Sequence, residues 1–181
     1  LIVRDMLGRE VTLPAPPLRI VSLVPSVTEI VFALGGEARL VGRTDFCDYP
    51  AAALAKPSVG GMVNPNLETL VTLKPDLVVA TDEGNRDETV RQLARLRIPV
   101  YLVHANRVGE TLDLIARVGA LTERQAEVPR VSGEMLRRID AVRKAVAPFA
   151  RRRVLYVLWP EPLIVPGRES MLTELIEIAG G

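Results

Sequence analysis

Residues 67–103 read LETLVTLKPDLVVATDEGNRDETVRQLARLRIPVYLV, and in them two strand-like runs, Leu77 to Ala80 and Val100 to Val103, each follow an amphipathic stretch. Short apolar, β-branched runs alternating with helical periods are the pattern of a parallel sheet whose faces are covered by helices. Pro75 and Asp76 turn a helix over Leu67 to Lys74 into the first run. Asn85, with Glu88 three residues on, is the expected cap of the next helix, which carries Val90, Leu93, Ala94 and Leu96 at helical spacing until Ile98 and Pro99 stop it.

The alternation extends toward the N-terminus. Ile20 to Leu23 forms a run that stops at Pro25, and Ser26, Val27, Thr28 and Glu29 have the pattern of a capping box for a helix ending near Gly35 and Gly36. Another short strand falls at Leu40 to Arg43. Ahead of these, Ile2 to Leu13 reads as a hairpin with Gly8 in its turn, tied on by Pro14, Pro16 and Pro17.

Toward the C-terminus such units recur to about Leu121. The stretch Thr122 to Ala147 is rich in Glu, Arg and Ala, with Val131, Met135, Ile139 and Val142 along one stripe. As one helix it would span roughly 35 to 40 Å, either starting near Pro129 or kinked there. Beyond Pro148 and the cluster Arg151 to Arg153 come an expected strand Val154 to Leu158, a turn at Pro160 to Pro162, a short strand Leu163 to Val165 and a helix Ser170 to Ala179. The expected fold is α/β: a Rossmann-like N-terminal lobe over residues 1–121, a long interlobe helix over 122–149, and the start of a second α/β lobe over 150–181. One strand cannot bury its own apolar face, so that second lobe is expected to be incomplete.

Bulk composition narrows the function. The 181 residues carry 23 Lys and Arg against 22 Asp and Glu, a net charge of +1 that gives no electrostatic basis for binding nucleic acid or an anionic membrane. No apolar run approaches the roughly 18 residues of a membrane span. Cys47 is the single cysteine, which excludes an intrachain disulfide and a Cys-based zinc cluster. The Walker lysine motif, G-x-G-x-x-G, G-x-S-x-G and H-E-x-x-H are all missing, so no cofactor and no enzyme activity is expected.

Ligand sites in open α/β sheets lie beyond the carboxyl ends of the strands, which selects the loops at residues 24–26, 44–49, 81–85 and 104–107. Thr44 to Pro50 holds Phe46 and Tyr49 in a chain with only 4% aromatics. The two rings either stack on a flat organic ligand or fold back as lids over the sheet end. Gly60 to Pro65 combines two glycines with Met62, for close ligand approach or for a tight turn. Trp159, the only Trp, is either a ligand anchor or packed on the long helix. His104, the only His, sits at a strand end as a metal ligand or a structural residue. Asp82 and Glu83, with Asp45 and Asp48, either meet a cation or do acid-base chemistry, or are solvated loop charges.

Taken in order, RIVSLVPSVTE (19–29), DFCDYP (45–50), GGMVNPNLETLVTLKPD (60–76), EGN (83–85) and GRES (167–170) resemble the cobalamin-binding and siderophore-binding receptors of the helical-backbone class, the substrate-binding proteins of ABC importers. The resemblance implies two Rossmann-like lobes joined by a long helix, a small-molecule metal chelate held between them, and delivery to a membrane permease. By position it implies ligand contacts from Pro25, Ser26, Phe46, Tyr49, Gly61, Met62, Asp82, Glu83 and Trp159. Glu68 matches the acidic residue that docks on the permease, and as a carboxylate at a helix N-terminus it is also locally favourable. An exported protein is implied, periplasmic or a cell-surface lipoprotein, with its secretory signal or lipid anchor outside Leu1 to Gly181. The second lobe implied by the family is longer than residues 150–181.

One His cannot supply a free manganese or zinc site. Anionic siderophores call for cationic cleft residues, whereas these loops offer acids and aromatics, which suit a corrinoid with amide edges. Ferric siderophore or haem is the second expectation. An intracellular α/β enzyme using Asp82 and Glu83, or a ligand-sensor domain, stands as the reading from another class.

Overall fold

A computed structural model describes all residues, Leu1 to Gly181. Its elements are β1 (Ile2–Arg4), β2 (Glu10–Thr12), β3 (Ile20–Ser22), α1 (Pro25–Ala33), β4 (Leu40–Arg43), α2 (Leu67–Thr72), β5 (Leu77–Thr81), α3 (Asp87–Arg95), β6 (Val100–Val103), α4 (Val108–Leu121), α5 (Val128–Val146) and α6 (Met171–Ile178). Strands β4, β3, β5 and β6 form one parallel sheet in that order, while β1 and β2 make a separate antiparallel hairpin turning at Gly8, whose φ is 81°. The chain divides into two compact units, residues 1–104 with 114–128, and residues 105–113 with 129–181.

In the first unit the sheet is buried on both faces. Val21, Leu23, Val78, Ala80, Val100 and Leu102 project to one side and pack with Val59, Leu70 and Leu93. Their alternate neighbours Ile20, Leu77, Val79, Tyr101 and Val103 are equally buried, with Val27 and Val31 of α1 and Leu114, Ile115 and Val118 of α4 among the remaining core. Each such side chain contributes about 1.5 to 3 kcal/mol by leaving water. Gly42 is dictated by this packing, since a Cβ there would stand 2.5 Å from a Leu73 methyl.

Both sheet edges are closed. The outer edge of β4 is met by residues 57–59, with Arg43 N donating to Pro57 O (3.0 Å) and Val59 N to Arg43 O (2.7 Å). The outer edge of β6 is met by the hairpin, where Met6 N donates to Leu102 O (3.1 Å) and the Asp5 carboxylate accepts from Leu102 N (3.3 Å). Asp5, with its side chain fully buried, also accepts from the amides of Leu7 and Arg9 and from Arg9 Nε.

The long helix expected over 122–149 has different bounds. It begins at Val128 with Pro129 in its first turn, where a missing N–H costs nothing, and its 19 residues run about 28 Å. Residues 122–127 instead bend the chain: Thr122 Oγ1 donates back to Val118 O (2.7 Å) and Glu123 takes a φ of 54° before a short 3₁₀ turn. In α5 the stripe is poorly covered, with Val131, Met135 and Ile139 half-buried and Val142 exposed.

Two expected strands in the second unit do not form. Val154–Leu158 and Leu163–Val165 form no ladder: Leu158 lies in a bend and donates its N–H to Ile164 O (2.9 Å), Leu163 lies in a turn, and the one bridge joins Trp159 to Ile164. A strand exists by pairing, and no neighbouring strand lies beside them. The last helix meets expectation, with Ser170 capping Thr173 N at 3.2 Å.

Replacing Asp5 with Ala leaves the Leu102 amide buried without its partner and unclips the hairpin from β6. Urea unfolding of Asp5→Ala should show a loss of about 2 to 3 kcal/mol with the transition slope unchanged. A loss within experimental error would show that water satisfies the edge instead.

Candidate functional site

All four strands of a parallel sheet point their carboxyl ends the same way, so the loops that leave those ends collect on one edge of the first unit. The loop after β4 is the most firmly built. Arg43, buried, donates from Nε to Ala53 O (3.0 Å) and from its terminal nitrogen to Thr44 O (2.8 Å). Cys47 turns inward, 3.2 Å from Thr44 Oγ1, and is also buried. With these residues anchored, Phe46 and Tyr49 stand 63% and 66% exposed. They do not fold back as lids, and each ring left in water forgoes about 1.5 to 3 kcal/mol that burial would give.

The neighbouring segment is joined to this loop. Asp45 N donates to Gly60 O (2.9 Å) and Ser58 Oγ donates to the Asp45 carboxylate (2.5 Å). Gly60, with φ of 89°, closes a turn bridged to Pro65, which requires the left-handed backbone that glycine tolerates. Gly61 beside it has open space where a Cβ would go. Met62 lies across Gly84, so close that a Cβ on Gly84 would fall 1.7 Å from the Met62 methyl.

Asn85 explains why those two loops stay together. The sequence pattern makes it a helix cap, but α3 starts at Asp87 with Arg86 as N-cap and no side-chain cap bond. The Asn85 side chain instead accepts from Thr81 N (2.8 Å) and donates to Met62 O (2.6 Å), stitching the loop after β5 to the Met62 segment. Glu88, the other half of the expected box, pairs with Arg91. The box at α1 fails similarly. Its helix starts two residues earlier, at Pro25, with Val24 as N-cap in place of Ser26 and no side-chain cap bond, because proline at the first position is already pre-organised for the helix. Pro25 is half-buried and Ser26 exposed.

Electrostatically this edge is acidic. His104 Nδ1 lies 3.1 and 3.2 Å from the two carboxylate oxygens of Asp82 and 3.9 Å from Glu83, so the acidic pair is engaged with a neighbour and not merely solvated. Glu29 on α1 has its carboxyl pKa raised, first by partial burial and then by the negative charge of Asp48. No group of three or more His, Cys, Asp or Glu is arranged to hold a metal ion. Glu68 is exposed in the first turn of α2, whose cap is Asn66 accepting from Thr69 N (3.0 Å). Trp159 belongs to the second unit, 59% exposed, with its indole N–H donating to Glu161 O (2.9 Å).

The structure thus links Asp45, Gly60, Met62, Asp82, Glu83 and His104 through neighbouring loops and leaves two aromatic rings in solvent beside them. Sequence reasoning missed Arg43 and Ser58 and took Asn85 for a helix cap; all three hold the loops in place. A rigid rim of rings and polar groups at the carboxyl edge of a parallel sheet is the architecture of an α/β small-molecule binding domain. Residues 20–181 match the family model described as periplasmic binding protein, and the chain belongs to that family. It is 32% identical over 163 residues to the vitamin B12-binding protein of Salmonella typhi, covering 90% of this chain and 60% of that one. Among solved structures it is similar to the periplasmic vitamin B12 binding protein of Vibrio cholerae, with TM-score 0.79, 28% identity, and 93% of this chain on 66% of that one. It is as similar to the periplasmic heme binding protein of the same organism, with TM-score 0.79, 27% identity, and 91% of this chain on 64% of that one. The chain therefore spans less than two thirds of the length of the relatives it matches.

The raised pKa of Glu29 fixes a sign. Its contribution to stability is fully present below 4.5, its ordinary value, and is lost as pH rises through the higher folded value. Relative to Glu29→Gln, the natural protein should be most stable in acid and lose that advantage as pH rises. Carboxyl NMR should show Asp48→Asn moving the Glu29 titration downward without restoring the ordinary value, since burial is the larger cause.

Proposed function

We propose that this chain is the ligand-binding part of an exported receptor that captures a metal chelate, cobalamin in the first instance, and passes it to a membrane permease of the ABC importer class. The observation that carries the reading is the pair Phe46 and Tyr49, held out in water by a loop whose Arg43 and Cys47 are buried beneath it. Rings kept exposed on a stiff mount offer flat contact area without the entropy loss of ordering a mobile loop. Membership of the periplasmic binding protein family supports the receptor role.

The acidic character of the edge favours a neutral corrinoid with amide substituents over an anionic chelate. Pro25, Ser26, Gly61, Met62, Asp82 and Glu83 supply the surrounding apolar and polar contacts, and Glu68 supplies the permease-docking carboxylate. Trp159 offers the same stacking chemistry from the second unit and is tested by itself. Haem is the second reading, favoured by the equal likeness to the two Vibrio cholerae proteins.

Isothermal titration with cyanocobalamin and, separately, with haemin tests the choice. Saturable binding of cyanocobalamin is expected; haemin binding alone would transfer the assignment to haem. Phe46→Ala and Tyr49→Ala should each weaken binding by about 0.5 to 1.5 kcal/mol, and Trp159→Ala by a similar amount. Unchanged affinity in all three would refute stacking.

Glu68→Arg should leave ligand affinity unchanged and reduce ATPase stimulation in a reconstituted transporter. Full stimulation by the variant would remove Glu68 from the docking surface.

A further inference from the structure

Met62 is a flexible side chain on an irregular segment, yet both of its ends are held. Residues 61–64 belong to no helix or strand, and Met62 is half-buried. Its carbonyl accepts from the Asn85 carboxamide nitrogen (2.6 Å). Its methyl rests on Gly84, where a Cβ would stand 1.7 Å from that methyl and 3.3 Å from the sulfur. Gly84 is not in the left-handed region, so its backbone alone does not demand glycine; the seat for Met62 does. Asn85, itself buried, divides its two polar atoms. The oxygen accepts from Thr81 N (2.8 Å) at the end of β5, while the nitrogen reaches 23 residues back to Met62.

We propose that Met62 is a specificity-determining residue of the carboxyl edge, and that Asn85 and Gly84 are the positioning residues behind it. Methionine on a binding surface ordinarily re-packs around whatever meets it, because its three rotatable bonds give many shapes of similar energy. Tied at the carbonyl and seated at the methyl, Met62 keeps one shape, and an edge of fixed shape separates ligands by fit. The same two contacts set the loop of Asp82 and Glu83 at one distance from the Met62 segment before any ligand arrives, which removes an ordering cost from binding. This role rests on the reading of the carboxyl edge as the ligand site.

The two ends can be released separately. Asn85→Asp keeps the acceptor for Thr81 N and removes the donor to Met62 O. Gly84→Ala alters no charge, and the nearest atoms its methyl meets all belong to the Met62 side chain, which it pushes off the seat. Methyl NMR of the ligand-free chain, with its four methionines labelled, should show an Overhauser contact between the Met62 methyl and the Gly84 α-protons. That contact should vanish in Asn85→Asp, and the Met62 methyl signal should shift in Gly84→Ala. Titration with cyanocobalamin and with haemin should show the advantage of the tighter-binding chelate narrowing by roughly threefold or more in Asn85→Asp, Gly84→Ala and Met62→Ala. With Met62→Ala already in place, Gly84→Ala has nothing left to displace and should narrow it no further. Further narrowing in that double variant, or a methyl contact that survives Asn85→Asp, would overturn the positioning. A lost contact beside an unchanged chelate preference would overturn the specificity role alone, whereas binding of neither chelate would overturn the ligand reading and that role with it.

Discussion

A parallel sheet leaves neither of its faces to water, and the first unit is arranged around that constraint. Val21, Leu77, Val78, Ala80 and their neighbours are essentially inaccessible, so polar groups are expelled to the strand ends and edges. The edges are then closed by segments whose amides and carbonyls fill the open ladder, Asp5 and Met6 on one side and Pro57 to Val59 on the other. What remains for chemistry is the carboxyl end. Its loops inherit their spacing from the strands, about 4.8 Å apart, so short side chains can tie one loop to the next. Asn85 reaches past β3 to tie the loop after β5 to the Met62 segment, while Ser58 and Arg43 pin the connection after β4 to itself, and on that mount the rim holds two aromatic rings away from the core.

Much of this was legible from the residues because it is local. Leu40–Arg43 and Val100–Val103 are short apolar runs between turn-forming residues, and both strands occupy the expected positions. The hairpin at Gly8 follows from the same local chemistry. Exposure of Phe46 and Tyr49 was less accessible to sequence, since the outward and inward choices differ only in what lies beneath the loop. The inward-turned Cys47 and buried Arg43 decide it.

The caps failed for an instructive reason. Ser, Thr, Asn and Asp side chains choose between nearby backbone groups, and a capping motif considers only those within one helical turn. Asn85 had a better offer from Met62 O, 23 residues away, and from Thr81 N. The Asp82–His104 pair belongs to the same kind of information. Its residues are 22 apart in sequence, yet the parallel register sets Thr81 beside Val103, so the next residue of each strand meets across the gap. Knowing which strands are neighbours would have revealed the pair; composition and periodicity do not.

The second unit shows the limit of propensity. Val154–Leu158 is at least as β-prone as Val100–Val103, with aliphatic and aromatic residues throughout. The difference lies outside the segment: Val100–Val103 has β5 on one side and the hairpin on the other, whereas Val154–Leu158 has only the Leu158 N–H on Ile164 O and the bridge at Trp159 just beyond its end. Strand identity is a property of a pair, and intrinsic preference adds at most about 1 kcal/mol to a decision that backbone pairing and burial control. An apolar run without a partner is consequently not a failed strand. It becomes a strand only where a neighbouring strand supplies the second half of the ladder.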